Sequence, residues 1–128
     1  MPDREVSVSV VFDRPVRDIA VRDGTQTNCA GFAKILADIE PAERFEFLSN
    51  GDAAPAGVLD DELIEQCIGA VRRGVLDELT RVGDGEVPPV RFVLRRILVH
   101  LVDSAEFRNE AVGRMAVAEA VRRLNGAY

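Results

Sequence analysis

The chain contains one histidine, His100, flanked by the arginine doublet Arg95-Arg96 and by the polar group Asp103, Ser104 and Glu106. An imidazole moves protons or ligates metal only beside a suitable partner. This ring has no sequence-evident nucleophile or carboxylate partner, so neither a catalytic triad nor a metal site is expected. Arginine pairs bidentately with phosphate or carboxylate, and Arg95-Arg96 have two equally good roles: contact with such a group, or a bulge that exposes both to solvent. Asp103 and Ser104 stand where a helix begins, accepting hydrogen bonds from its first amides, and Glu106 in the first turn complements the positive helix end. The run Asp60-Asp61-Glu62 suggests either a metal or a helix start, and the helix start is the simpler account. Cys29 and Cys67 lack a CxxC or Cys/His spacing and read as two reduced thiols. No catalytic residue, cofactor or metal is therefore expected.

The elements that must position these groups follow from periodicity. Val6, Val8, Val10 and Phe12 alternate with Ser7 and Ser9, which predicts a strand with one buried face. Val16 to Val21 is a weaker strand, ended by the turn signal Asp23-Gly24, and Thr25 to Gly31 reads as a loop. Phe32 to Ile39 is a strand with Ile35, Ala37 and Ile39 on one face, stopped by Pro41. Arg44 to Ser49 resumes with Phe45 and Phe47 on the core side. Asn50 to Gly57 is a connection, after which Ile64, Cys67, Ile68, Val71, Val75 and Leu79 form the apolar stripe of a helix to about Thr80. Gly69 and Gly74 within it either permit close approach to the sheet or loosen the helix end. Val82 to Pro89 connects to a strand in which Val90, Phe92 and Leu94 share a face. The alternation then slips by one at Arg95-Arg96, predicting a bulge or tight turn there. A last helix runs from about Ser104 to Leu124, its narrow face of mostly small residues, Gly113, Ala116, Val117, Ala120, Val121 and Leu124, suited to lying close on a sheet.

A length of 128 residues and a hydrophobic fraction of 47% suit a single domain, here residues 1–128, with one core. No apolar run reaches the length of a membrane span, and the first residues lack the pattern of a signal peptide, so a soluble cytoplasmic protein is expected. The formal net charge of −6 repels polyanions at long range, so that any RNA contact must be local. Lys34 is the sole lysine. The helical doublets Arg72-Arg73 and Arg122-Arg123 read as solvated faces or partners of nearby acids.

The stretch from His100 to Val121 resembles the end of domain IV of elongation factor G. His100, Val102, Asp103, Ser104, Glu106, Gly113, Met115, Ala116, Glu119 and Ala120 fall at matching places without a gap. Further blocks match in the same order: Ile39-Glu40-Pro41, Phe45-Glu46-Phe47, the helix pattern from Ala70 to Leu79, and Pro89-Val90. Together they cover most of the chain from about Phe32 to Arg123.

This resemblance implies an α+β two-layer sandwich of the ribosomal protein S5 domain 2-like type. In it, a roughly four-stranded sheet carries two helices packed on one face, joined by a left-handed crossover where the general rule gives a right-handed one. It further implies that His100 sits at the domain tip, donating a hydrogen bond to RNA or stacking on it, with Arg95 and Arg96 as the phosphate contacts beside it. No GxxxxGK[ST] motif is present, so GTP binding is not expected. The family's glycine-rich loop is replaced by Thr25-Gln26-Thr27-Asn28-Cys29-Ala30-Gly31, and Arg95-Arg96-Ile97-Leu98 occupies a shortened second connection. Two functions follow. One is a noncatalytic, translation-factor-like module binding the ribosome or RNA, favoured by His100. The other is a protein-interaction module, binding a protein partner or forming a homodimer, favoured by the acidic charge and the changed loop.

Overall fold

Ala33, Ile35, Ala37 and Ile39 from one long strand and Val90, Phe92 and Leu94 from another are all buried, while the residues between them point the other way. Burial of alternate side chains gives a sheet with one apolar face. The computed structural model describes residues 12–24, 32–49, 53–56, 61–100 and 106–125. Its elements are β1 (Val16–Gly24), β2 (Phe32–Pro41), β3 (Glu46–Ser49), β4 (Ala53–Ala56), α1 (Asp61–Val82), β5 (Val90–His100) and α2 (Glu106–Leu124). The expected strand from Val6 lies outside the described residues up to position 11, as do the expected loop from Thr25 to Gly31 and the residues Asp103 and Ser104.

The strand order is β1-β2-β5-β3, with β1 antiparallel to β2, β2 antiparallel to β5 and β3 parallel to β5. Ile97 of β5 pairs with Ile35 of β2 and also with Ala53 of β4, one on each side, so β4 lies along the same edge of β5 as β3. The sheet is thus four strands wide and mixed, with β3 and β4 sharing one edge. Both helices bury their stripes in a single core with this sheet, α2 over β1 and β2 and α1 toward β5. The fold is an α+β two-layer sandwich.

Several expectations are corrected. Ala53–Ala56 is a strand rather than part of a connection. Its backbone pairing with β5 suffices at an edge, where Pro55 is tolerated and no alternation of large apolar side chains is required. Residues 95–98 lie within one continuous strand and form no connection; the slip at the arginines is a bulge, seen as a register shift between Leu36 and Ala37 that leaves Arg95 as the extra residue of β5. Phe45 and Phe47 pack against the core as expected but are only half-buried, because β3 is covered by a neighbouring strand on one side only. Gly74 and Gly113 do permit close approach, but between the helices. A Cβ on Gly74 would lie 2.0 Å from the Glu110 carbonyl oxygen, and one on Gly113 would lie 2.3 Å from that of Val71. Gly69, by contrast, has only the tip of Arg73 near it, at 3.8 Å.

The stripe of α1 otherwise matches expectation, with Cys67, Val71, Val75 and Leu79 buried and Glu65, Arg72 and Arg73 exposed. At the end of α2, Arg14 donates to the Leu124 carbonyl at 2.9 Å, and Arg123 donates to the Arg17 carbonyl at 2.8 Å. These bonds satisfy a terminal helix carbonyl and tie α2 to the start of β1.

Candidate functional site: the open face of the sheet

The face of the sheet away from the helices carries Arg95 and Arg96 together with the charged side chains of the neighbouring strands, and these groups divide into two halves. In the first half, Asp38 of β2 is the hub. Its side chain is only 10% exposed, the lowest of any carboxylate on this face. The strand β1 has a bulge opposite it, where the register shifts between Val16 and Ile19 and Asp18 adopts the left-handed conformation with φ 57°. Asp38 Oδ1 accepts from the Asp18 backbone amide at 2.9 Å and from Arg95 Nη1 at 3.1 Å, and Arg17 stands 3.5 Å from Oδ2. One carboxylate therefore braces the bulges of both neighbouring strands.

The ion pairs continue outward from this hub. Arg95 Nη1 also donates to Asp18 Oδ1 at 2.6 Å, and Arg17 approaches Glu40 at 3.4 Å. Arg91 reaches Glu46 and Glu40, both at 2.7 Å. The hydrogen bond to Asp18 first, and then that to Asp38, hold the Arg95 guanidinium above its ordinary pKa; Glu46 and then Glu40 do the same for Arg91. Each cation of this half is matched by carboxylates on adjacent strands, as cross-strand pairing favours.

The second half lies toward Gly24, Phe32 and His100, which the antiparallel register brings to one end of the sheet. Here Arg22 of β1 pairs directly with Lys34 of β2, and Leu36 pairs with both Ala20 of β1 and Arg96 of β5. Arg22, Lys34 and Arg96 are all exposed, and none forms an ion pair with a described residue. Two cations placed opposite each other on adjacent strands repel.

The candidate residues thus separate. Arg95 belongs to the ionic half and is held by carboxylates, whereas Arg96 is exposed in the cationic half. His100 ends β5 with its backbone paired to Ala56, at the same end as Arg96. Glu106 opens α2. Sequence reasoning passed over Asp38, Arg22 and Lys34. They are distant in sequence from Arg96, and only the strand register brings them together; the available signal was an outward-facing position in each strand pattern.

The helical doublets serve structure. Arg73 donates to Glu110 at 3.2 Å, Arg72 lies 5.9 Å from the Phe45 ring centre, and Arg122 and Arg123 both bind Glu119. A shallow groove between the helices is lined by Arg73, Leu76, Asp77, Thr80, Arg81 and Glu110. Its polar groups already have partners: Arg73 binds Glu110, Arg81 binds Glu78, Arg114 stands 3.8 Å from Asp77, and the Thr80 hydroxyl donates to the Leu76 carbonyl. Among the described residues no group of three His, Cys, Asp or Glu side chains is placed to hold a metal, and no helix is long and apolar enough to cross a membrane.

No family model and no curated protein matches this chain. Among solved structures it is similar to a crystal structure of a protein from Thermus thermophilus, with a TM-score of 0.55 and 16% identity over 85% of this chain. At that identity the likeness shows the fold alone. The match spans 16% of the Thermus chain, so this chain corresponds to a small part of a much longer protein.

Proposed function

We propose that this chain is a noncatalytic, translation-factor-like domain, similar to domain IV of elongation factor G, that acts as a ribosome- or RNA-binding accessory module. The observation that carries the reading is the convergence at one end of the sheet. The β1–β2 hairpin end at Gly24 and Phe32 and the end of β5 at His100 lie there, at the end that the resemblance designates as the tip, and the exposed Arg96 stands four residues back along β5. The paired polar groups of the helical groove and the committed carboxylates around Asp38 support the noncatalytic part. Fold alone does not carry function, so the reading stands on these residues and their placement. Co-sedimentation with ribosomes over a range of salt concentrations tests it.

A second reading, a protein-interaction module that kept the fold, draws on two apolar side chains of α2. Phe107 is 57% exposed and Met115 is 38% exposed, on a chain whose acidic charge disfavours RNA at long range. A ribosome-free pull-down together with light scattering separates the two.

A further inference from the structure

We infer that the cationic half of the open sheet face, formed by Arg22, Lys34 and Arg96, binds the phosphate backbone of single-stranded RNA without reading its sequence. The inference rests on the RNA-binding reading above and extends it from Arg96 across the sheet face to Arg22 and Lys34.

The segregation of charge carries the argument. On one sheet face of a chain with net charge −6, Arg17, Arg91 and Arg95 are all matched by Asp18, Asp38, Glu40 and Glu46, while Arg22, Lys34 and Arg96 have no carboxylate among the described residues. Directly opposed cations such as Arg22 and Lys34 repel each other in the empty state, and a bound anion converts that repulsion into attraction. The three residues sit on three successive strands, β1, β2 and β5, and so span roughly 10 Å across the sheet. Long, exposed side chains at that separation suit a chain of successive phosphates better than one compact anion.

The surroundings favour a nucleic-acid backbone over a protein partner. A protein interface needs large apolar anchors at its centre, and the described side chains between these cations are Ala20 and the half-buried Leu36. The three cations offer charge to phosphate oxygens, and contact of that kind positions a nucleic-acid backbone without reading its sequence. The local positive field also overcomes the long-range repulsion that the net charge imposes, because that repulsion is screened beyond about 8 Å at physiological salt.

The test is fluorescence anisotropy with a labelled oligouridine, comparing the full chain with the Arg22→Gln/Lys34→Gln/Arg96→Gln variant. A control variant, Arg14→Gln/Arg44→Gln/Arg72→Gln, removes the same charge elsewhere, and circular dichroism checks that all three chains are folded. Three phosphate contacts predict that wild-type affinity falls roughly 20-fold between about 50 and 200 mM salt. The first variant should lose most of the low-salt affinity and nearly all of the salt dependence, and the control should keep at least half of its affinity. Full affinity and slope in the first variant would overturn this surface while leaving the RNA reading in place. Absence of oligouridine binding by the wild-type chain at low salt would overturn both. Displacement of oligouridine by polyglutamate at equal charge concentration would assign the surface to an acidic protein and overturn the commitment to RNA.

Discussion

Arg95 Nη1 lies 3.1 Å from Asp38 Oδ1, beside the point where β5 slips one residue against β2. The same oxygen takes the amide of Asp18 from the bulge on the other side. One largely buried carboxylate therefore fixes two irregularities, and Arg95 helps to brace the sheet.

Replacing Asp38 with Ala leaves the Asp18 amide without its acceptor and removes a hydrogen-bond partner of Arg95. The expected loss is roughly 1–3 kcal/mol of stability, the cost of an unsatisfied polar group, measured by urea denaturation. Arg95→Gln should cost less, because its side chain is 37% exposed and such pairs contribute little. Equal stability of the Asp38 variant and the wild type would show that water replaces the brace.

The two helices meet through glycine. Alanine in a helix interior gains about 0.5–1 kcal/mol over glycine, and Gly69→Ala, whose methyl group would meet only the tip of the Arg73 side chain at ordinary contact distance, should show that gain. Gly74→Ala and Gly113→Ala place a methyl group against the backbone of the facing helix and should each lose roughly 1–3 kcal/mol. A rise in melting temperature for either would contradict the crossing.

Phe92 is fully buried, and the Phe47 ring stacks on it with centroids 5.5 Å apart and planes 4° from parallel. Phe92→Ala should cost roughly 3–5 kcal/mol. Phe47→Ala and Phe45→Ala should cost less, in that order, since both rings are half-buried at the sheet edge. Thermal unfolding of the three variants gives the ranking, and a larger loss for Phe45 than for Phe92 would reverse the assignment of the core.

How far these elements were legible depended on which side chains carried the signal. The faces of β2 and β5 could be read because large apolar residues alternate along them, and the bulge at Arg95 showed itself as a break in that alternation. The bulge at Arg17–Asp18 gave no such sign: both residues are polar, and its cause is Asp38, twenty positions away. In β4 the chain offers only small residues and a proline, and its order comes from backbone bonds to β5. The small face of α2 was visible, but whether it met sheet or helix depended on the tertiary contact of Gly113 with Val71. The cationic half of the open face exists only through register, since no local pattern joins Arg22, Lys34 and Arg96.

Acid should weaken the end of α2. Arg122 first and then Arg123 hold the Glu119 carboxyl at about 2, below its ordinary value of 4.5. A carboxylate with a depressed folded pKa contributes stability that is fully present above about 4.5 and is lost as pH falls through about 2. Glu119→Gln should therefore be less stable than the wild type at neutral pH, and the difference should narrow between those values. A constant difference down to pH 2, followed by chemical denaturation, would contradict the pairing.

The central claim is that the chain binds ribosomes or RNA through the end of the sheet that carries Arg96 and His100. Its most direct measurement is sedimentation of the purified chain with ribosomes through a sucrose cushion, repeated from about 50 to 200 mM salt. The account predicts that the wild-type chain enters the ribosome pellet at low salt and is released as salt rises. A wild-type chain that stays in the supernatant at every salt concentration would contradict it.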